Sequence, residues 1–539
     1  MRNIHLLYAA LRRKGLLAGL MVGLLCAAPR THAQTTEDAL RFSQRHPSAF
    51  SAHLAGMGVR GFSGIGVKGA LHSNPAGLGY VQSSSLSLSL TALDAVNESS
   101  SGSPGFSSDA LSGRNEFAGL GNLSYVHDVP VQQGSLVFSL GIAKVQSFNR
   151  NLAFSGENSR STISTSFLPF GDEYSLTEDG GLDQLNDLSF AAFNGGMIEF
   201  FPSRLSNGDY PFLEAVIPGT VIRQEGFVHD TGELYEGAIG MAVEAKRGLM
   251  VGLSANLVIG AYNLYNTLEE IDEFDQNGID DYNVLQDDGS LLQGFDHLTY
   301  TQRLESDMVG LNLKLGASWQ ATGFLRLGAV IESPTWTYIE ESYGASFTTQ
   351  FDGGGVLTYG NRADDVGNGF FDYEFLSPWR LGAGVHASLG RVRLIGDLEV
   401  VDWSQMEYYS DTEDELFRDL NRQIDDQYGV SINTSLGAEI DFGWATVRGG
   451  AAVRPDPLKE IPVTSRGAKL NRDRVYLNLG VGVNLSGRWH LDIAVQTETR
   501  DDTWYAYPED EFGSRQDAIL QIDEALKRDW VLVQLTYRL

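Results

Sequence analysis

The sequence predicts an all-β protein built as a 14-stranded antiparallel transmembrane β-barrel. Three observations predict this fold. They are an export signal at the N-terminus, period-two alternation of apolar and polar residues over the second half, and connections that are strictly short and long in turn. The 61 glycines, 21 tyrosines and 27 phenylalanines suit strands and tight turns better than a helical bundle. Beyond residues 15–28 no apolar run is long enough for a membrane helix, so a membrane location would require a closed barrel.

The first 33 residues are predicted to be a cleaved secretory signal peptide. A basic stretch ending at Lys14 precedes an apolar stretch over 15–28, and Ala33 closes a small-residue cleavage site. The apolar stretch is shorter than the roughly 20 residues that span a bilayer. Cys26 is the one cysteine of the chain, and Leu25 before it argues against lipoprotein processing. The mature protein is therefore expected to contain neither a disulfide nor a zinc site of cysteine type.

The last residues, 529–539, are predicted to form an amphipathic strand. From Trp530 onward its odd positions are apolar or aromatic and its even positions include polar residues: Val531, Val533, Leu535 and Tyr537 against Gln534, Thr536 and Arg538. A strand of this kind at the C-terminus resembles the signal read by the bacterial barrel-assembly machinery. Leu539 takes the place of the usual terminal aromatic residue.

Alternation and turn lengths together predict the topology. Strands are predicted at 84–95, 115–128, 134–147, 233–246, 249–266, 296–318, 323–340, 369–389, 391–409, 429–441, 443–455, 473–485, 488–500 and 529–539. The stretch from Thr220 to His229 is strand-like, but an odd strand number would separate the termini, so it is assigned to the loop after the third strand. Long and short connections alternate as in outer-membrane barrels, with both termini in the periplasm.

The charge balance limits the partners. With 39 basic and 69 acidic residues the chain has a net charge of −30, so nucleic acid is not expected to bind. Acidic extracellular loops are the plain interpretation. No G-x-S-x-G or H-E-x-x-H motif occurs and the ten histidines are scattered. The chain is therefore predicted not to be an enzyme, and no cofactor is expected.

The most specific motifs precede the first strand. Asp38 to Gln44 is followed by Ala55-Gly56-Met57-Gly58 and then by Asn74-Pro75-Ala76-Gly77. Later stretches add Ser377-Pro378-Trp379-Arg380 and Arg448-Gly449-Gly450. Taken in order from about residue 38 to the C-terminus, these motifs resemble the FadL/TodX family of outer-membrane transport proteins, in the form found in Bacteroidota-like bacteria.

The resemblance implies a domain division and a function. Residues 1–33 would be the signal peptide, 34–82 a hatch inside the lumen, and 83–539 the barrel, with Asn74-Pro75-Ala76 at the junction. The family has fourteen strands and takes up long-chain fatty acids or aromatic hydrocarbons, releasing them sideways at a kinked third strand. Gly141 is the candidate for that kink here. Candidate apolar ligand contacts in the hatch are Phe42, Phe50, Leu54, Met57 and Phe62, which equally suit anchoring of the plug.

Other motifs carry less weight. Gly64 to Gly69 fits the dinucleotide pattern G-x-G-x-x-G, but no βαβ unit surrounds it. Asp275, Asn277 and Asp281 resemble part of a calcium loop whose final glutamate is missing, since Val284 occupies that position. Short amphipathic loop helices are predicted at 414–425 and 516–527.

Three functions remain after the sequence is read. The first is passive uptake of hydrophobic compounds through a hatch-gated, laterally opening barrel in contact with outer-membrane lipid and lipopolysaccharide. The second is a general porin with an open lumen. The third is an accessory barrel in protein secretion or attachment.

Overall fold

The structure is a computed structural model that describes residues 34–65, 67–103, 105–107, 110–171, 173–205, 207–217, 219–278, 282–285, 290–362, 365–410, 414–507 and 520–539. The predicted signal peptide and Asp281 of the predicted calcium loop lie outside the described residues. Within the described residues no helix is long and apolar enough to span a membrane.

Fourteen strands, counted over the described ranges, form one closed antiparallel barrel. They are β1 (Ser85–Ser100), β2 (Leu111–Val129), β3 in two parts (β3a, Leu136–Ser147, and β3b, Arg150–Asn158), β4 (Ile222–Lys246), β5 (Leu249–Ile271), β6 (His297–Gln320), β7 (Leu325–Glu332 and Trp336–Gln350), β8 (Gly369–Leu376 and Arg380–Leu389), β9 (Val392–Asp402 and Glu407–Tyr409), β10 (Val430–Asp441), β11 (Ala445–Arg454), β12 (Arg474–Asn484), β13 (Trp489–Tyr505) and β14 (Gln521–Arg538). Each strand pairs with the next, and β1 pairs with β14 from Ser85↔Arg538 to Ser100↔Asp523. The predicted fold class and strand number are confirmed.

The wall is polar inside and apolar outside. In β10 the side chains of Ser431, Asn433 and Glu439 are buried, whereas Ile432 and Leu436 are exposed, Leu436 by 72%. A soluble barrel buries its apolar face, so this reversed alternation is that of a wall facing lipid. It follows directly from the period of two along each strand.

The connections divide into two ends of the barrel. One end carries the short turns and the other carries the long loops, which contain most of the remaining structure. The described helices are α1 (Thr36–Ser43), α2 (Ala52–Ala55), α3 (Asp187–Asn194), α4 (Pro202–Leu205) and α5 (Asp414–Gln427), with 3-10 turns at Val67–Gly69, Pro75–Tyr80, Ile163–Phe167 and Trp403–Gln405 and short strands at Phe106–Ser107, Tyr174–Leu176, Leu182–Leu185, Ile198–Phe200, Phe212–Glu214, Asn283–Leu285, Leu291–Gln293 and Val356–Tyr359. Helix α5 agrees with the helix predicted at 414–425.

Two predictions about the loops are wrong. The sequence predicts that the stretch Thr220–His229 belongs to a loop, but from Ile222 it is the first part of β4 and pairs with both β3b and β5. Residues 521–527, predicted as part of a helix, belong to β14. Ile522 and Leu526 fit a helical and a two-residue period equally well, and pairing with β1 and β13 on both edges decides for the strand.

The two ends of the described chain lie at opposite ends of the barrel. The Leu539 backbone N–H donates to the carbonyl of Ser84 at the short-turn end (2.9 Å). The side chain of Gln34 instead donates to Glu341 Oε1 (2.6 Å), and the Thr36 hydroxyl donates to Gln427 of α5 (2.8 Å). The first and last strands of the barrel therefore meet at the short-turn end, whereas Gln34 lies away from it, because the segment before β1 runs along the lumen. That both termini lie in the periplasm stays a prediction.

Candidate functional site

The segment from Gln34 to Ser84 lies against the polar inner face of the wall. The backbone N–H of Ala52 donates to Gln534 Oε1 of β14 (3.0 Å). The N–H of Gly61 donates to Asp397 Oδ2 of β9 (2.7 Å), and Lys68 forms an ion pair with Asp492 of β13. Wall side chains thus satisfy a backbone that has little regular structure of its own. These contacts reach around much of the barrel.

Asn74 fastens the end of this segment at the short-turn end. Its Oδ1 accepts from the Ala76 N–H (3.0 Å) and so caps the 3-10 turn that begins at Pro75. Its Nδ2 donates to the carbonyls of Phe62 (2.7 Å), Ala317 (3.2 Å) and Ala329 (3.2 Å). The motif therefore joins two stretches of the segment to β6 and β7.

Two wall glycines make room for the same motif. A Cβ at Gly316 would lie 1.9 Å from Asn74 Oδ1, and one at Gly252 would lie 2.3 Å from the Pro75 carbonyl carbon. No ordinary side chain fits at such distances, so these glycines allow a close backbone approach. The sequence-predicted residues Asn74, Pro75 and Ala76 are brought together here.

Phe42 is the candidate contact that lies among apolar side chains of the lumen. Its ring packs edge-on against Phe148 (6.3 Å between centroids), Tyr262 (5.8 Å) and Phe375 (6.5 Å). The surrounding apolar cluster, here called the luminal cluster, contains Ala39, Leu40, Phe42, Val145, Phe148, Leu234, Val258, Tyr262, Leu304, Met308, Ile339, Tyr373, Phe375, Val401, Trp403, Met406, Tyr408, Phe417, Ile424 and Tyr428. It extends from the third strand to helix α5 in a long loop.

The other predicted contacts lie elsewhere. Phe50, Leu54 and Met57 belong to a separate buried cluster that also contains Ala143 and Ile395. Phe62 lies at the wall, where its backbone N–H donates to Asp397 and its carbonyl accepts from Asn74. Their burial and contacts are those of anchors for the segment.

A cavity of about 140 Å³ adjoins the luminal cluster, with a smaller one of about 30 Å³ beside it. Leu40, Phe148, Tyr262, Leu264 and Val228 form apolar parts of the larger wall. Most of the charged residues that line the two volumes are arginines, namely Arg41, Arg45, Arg150, Arg454, Arg472, Arg474, Arg500 and Arg528. The acidic residues in the lining are Glu37, Asp230, Asp456 and Asp502. We call the two volumes together the arginine cavity. It is a cationic site inside a strongly acidic protein.

Several of these arginines are ion-paired, but not fully. Arg150 contacts Glu524 (2.7 Å) and Asp230 (3.0 Å), and Arg472 contacts Asp502 (3.0 Å). Within the described part of the chain, Nε of Arg500 and Nε of Arg528 are buried without a hydrogen-bond partner. Unpaired guanidinium N–H groups beside a cavity can donate to an anionic group there.

The third strand is interrupted next to this cavity. Gly141, the predicted kink, pairs regularly with Ser124 and Ala238, so the departure is not at that residue. The register with β4 instead shifts at Val145, and pairing stops at Ser147 before β3b begins. The carbonyl of Val145 accepts from the N–H of His46 (2.8 Å), so the N-terminal segment contacts β3 at this register shift.

The bend leaves a seam in the wall. The β2–β3 ladder covers Asn122–Val129 with Leu136–Ala143, and residues 111–121 of β2 lie outside it. Beyond the bend, β3b passes on the inner side of β1, where Asn97 Nδ2 donates to the Asn151 carbonyl (3.0 Å). We define the seam as residues 111–121 of β2 facing 144–158 of β3.

Side chains close the seam in place of backbone pairing. The hydroxyl of Tyr235 lies 3.3 Å from the Leu120 carbonyl and donates to Glu233 (2.7 Å). Lys144 is fully buried, forms an ion pair with Glu233, and has its Nζ 4.4 Å from the centroid of the Phe117 ring. Such contacts can separate without breaking a strand ladder.

Of the two described residues of the predicted calcium loop, Asn277 is engaged by neighbouring groups and Asp275 is exposed. Asn277 is fully buried; its Nδ2 donates to Asp272 Oδ2 (3.1 Å) and its Oδ1 accepts from the Ile217 N–H (2.8 Å). Asp275 has a positive φ of 51°. Over the described residues no group of three or more acidic, histidine or cysteine side chains is arranged to hold a metal.

The arginines were missed by sequence reasoning. Arg474, Arg500 and Arg528 fall on even positions of strands whose odd positions face lipid. That phase places them in the lumen. The neighbourhood of strands far apart in sequence, which brings them into one cavity, carries no local signal.

Comparisons with known proteins show the fold. No protein-family model and no curated protein sequence matches the chain. Among solved structures, a Pseudomonas aeruginosa FadL homologue matches at 13% identity and a TM-score of 0.51, over 92% of this chain and 98% of that one. The P. putida toluene transporter TodX matches at 13% identity (TM-score 0.46, 88% and 94% covered) and the Ralstonia pickettii toluene transporter TbuX at 15% (TM-score 0.45, 91% and 98% covered). The chain has the fold of the FadL homologue.

Proposed function

We propose that this protein is an outer-membrane transporter for passive uptake of hydrophobic compounds, with residues 34–82 as its hatch and the short turns in the periplasm. The observation that most directly supports this proposal is the luminal cluster. It extends from helix α5 in a long loop to the interrupted third strand, inside a lumen occupied by the N-terminal segment. Membership of the FadL/TodX family, and of its Bacteroidota-like branch, stays a prediction. No enzymatic step and no cofactor are invoked.

An apolar cargo would partition from water into an apolar lumen. Transfer of an apolar molecule out of water is favourable by about 25 cal/mol per Å² of buried surface. An aromatic-lined lumen supplies that surface, whereas a wide aqueous pore does not. A cargo chain would exchange contacts with Phe42, Phe148 and Tyr262 as it passes. It would then reach the seam, where Lys144, Tyr235 and Phe117 are the contacts to be displaced.

Of the two cargo classes, the arginine cavity favours long-chain fatty acids. A fatty acid has an apolar tail and one carboxylate. The cavity offers arginines to the carboxylate, and the apolar side chains that it shares with the luminal cluster offer surface to the tail. Guanidinium binds carboxylate with charge-assisted, often paired hydrogen bonds. An aromatic hydrocarbon would leave those donors unused.

The test is uptake of labelled palmitate by cells that display the full barrel, compared with a Phe42→Ala variant at matched surface level. We expect the variant to lose most of the uptake, because the ring lies in the middle of the luminal cluster and is 4% exposed. A Phe50→Ala variant in the separate anchor cluster serves as the control for general damage.

Conductance separates the alternatives. A closed lumen predicts no steady ion current across a planar bilayer that holds the purified barrel. Steady current together with absent palmitate uptake would point to a general porin. Absence of both, with a co-purifying exported protein, would point to an accessory barrel for secretion or attachment.

A further inference from the structure

The four residues Ser43–His46, here called the clamped segment, connect helix α1 to the rest of the N-terminal segment. Their backbone carbonyls, with that of Phe42, point at cationic side chains rather than at a regular structure. Arg45 donates to the carbonyls of Phe42 (2.7 Å) and Gln44 (3.0 Å). Further donors come from Arg380 to Ser43, from Arg454 to Arg45 (3.3 Å) and from Arg60 to His46 (3.3 Å).

Gln44 is the side chain of the clamped segment that lines both parts of the arginine cavity. Its Oε1 accepts a hydrogen bond from the guanidinium of Arg474 at the end of β12. Within the described part of the chain, no carboxylate pairs with Arg474. The pairing is thus between a partly buried cation and a neutral amide.

An arginine pairs less strongly with a neutral amide, as Arg474 does with Gln44, than with a carboxylate. A hydrogen bond between a charged and a neutral group is exceeded by one between two opposite charges, and a carboxylate can accept two parallel N–H groups from one guanidinium. Resting on the proposed function, we infer that Gln44 is a positioning residue that stands in for the carboxylate of a long-chain acid. A cargo head group entering the arginine cavity takes Arg474 from Gln44, so the clamped segment loses this side-chain contact while its backbone carbonyls keep their other arginine donors.

The clamped segment contacts the third strand at His46, two residues after Gln44. The N–H of His46 donates to the carbonyl of Val145, at the register shift where β3 leaves β2. Burial lowers the pKa of His46 to about 3, so its ring is neutral and adds no charge of its own to this contact. We expect loss of the Gln44–Arg474 contact to weaken the neighbouring His46–Val145 contact at the bend. Head-group binding and opening at the seam become linked through one short segment.

The test is hydrogen exchange of the purified full-length barrel in lipid nanodiscs, followed on peptides covering residues 43–50. The probes are palmitate and hexadecanol, which have the same chain length but differ in the carboxylate. We expect saturating palmitate to speed exchange at the clamped segment by about tenfold, the effect of losing one hydrogen bond. Hexadecanol should leave exchange there unchanged.

Two variants with the same added charge sharpen the result. Gln44→Glu gives Arg474 an internal carboxylate, so palmitate should bind at least about tenfold more weakly and no longer speed exchange. Gln146→Glu places the same charge on the wall of the same cavity without the Arg474 contact. It should weaken palmitate binding by repulsion, yet keep the exchange response at saturation. Hexadecanol binding should be equal in both.

The outcomes distinguish the two proposals. If palmitate binds and is taken up but exchange does not change, or changes equally with hexadecanol, the role of Gln44 is overturned and the transport proposal stands. If both glutamate variants keep the response, Gln44 is again not the sensor. If palmitate neither binds nor is taken up, both proposals fall.

Discussion

Asn74 offers the sharpest test of how the N-terminal segment is held. In an Asn74→Ala variant the turn beginning at Pro75 loses its cap, which costs about 1 kcal/mol. The buried carbonyl of Phe62 also loses its donor, which costs about 1–3 kcal/mol. The carbonyls of Ala317 and Ala329 belong to paired strands and add little.

The total of roughly 2–4 kcal/mol falls on the segment rather than on the barrel, since each 1.4 kcal/mol is tenfold in an equilibrium. Local opening of residues 61–82 should therefore rise by about 30- to 700-fold, while the strands stay protected. The assay is native-state hydrogen exchange on peptides from that range and from β10.

A matched control is Asn122→Ala. Asn122 is fully buried on the inner face of β2, yet neither of its side-chain polar atoms has a hydrogen-bond partner in the described structure. Its removal should leave exchange at residues 61–82 unchanged. Equal exchange in wild type and the Asn74 variant would refute the view that this residue fastens the segment.

Further predictions concern close packing, pH and cargo contact. Gly316→Ala should displace Asn74 and speed exchange of the same peptides, whereas Gly323→Ala, with open space around its Cβ position, should not; equal behaviour of the two would contradict the packing argument. Burial raises the pKa of Glu199 to about 7, so the hairpin of residues 198–200 and 212–214 is more stable with the acid protonated and should lose protection as pH rises from about 4.5 past 7. Glu199→Gln should abolish that trend in exchange rates corrected for intrinsic chemistry, and persistence of the trend would exclude this carboxyl as its cause. Phe42→Ala should reduce uptake of palmitate and of toluene alike, because both would contact the ring; a loss confined to one cargo would place the ring outside a shared route.

The barrel could be predicted from the sequence because the pattern that marks each strand lies within a short stretch of the chain. Each strand alternates between lipid and a polar lumen, so residues such as Val531 and Gln534 reveal their faces by position alone. Turn lengths then give strand order without knowledge of distant contacts. For the same reason the errors fall on extensions beyond the membrane, as at Ile222 and Ile522, where alternation is weaker and pairing partners decide.

The site was less predictable because it depends on contacts across the barrel. Asn74-Pro75-Ala76 was found through a resemblance, and the structure adds why these residue types are needed. The bend of the third strand was expected at Gly141, on the ground that glycine permits one. It occurs at Val145, which has no such signal, and the backbone contact that His46 makes there joins residues far apart in the sequence.

The central claim is that cargo leaves through the seam between β2 and β3. The direct measurement joins Phe117→Cys and Lys144→Cys through disulfides with a short bis(methanethiosulfonate) reagent, which releases a sulfinate at each end, and follows palmitate uptake before and after cleavage of the link by reductant. Cys26 is the one native cysteine and lies in the predicted signal peptide, so the background is clean. A control pair, Leu90→Cys and Val533→Cys, spans two strands already held by a full ladder. If cargo leaves by this route, linking the seam stops uptake reversibly and the control link does not; unchanged uptake with a fully linked seam would exclude the route.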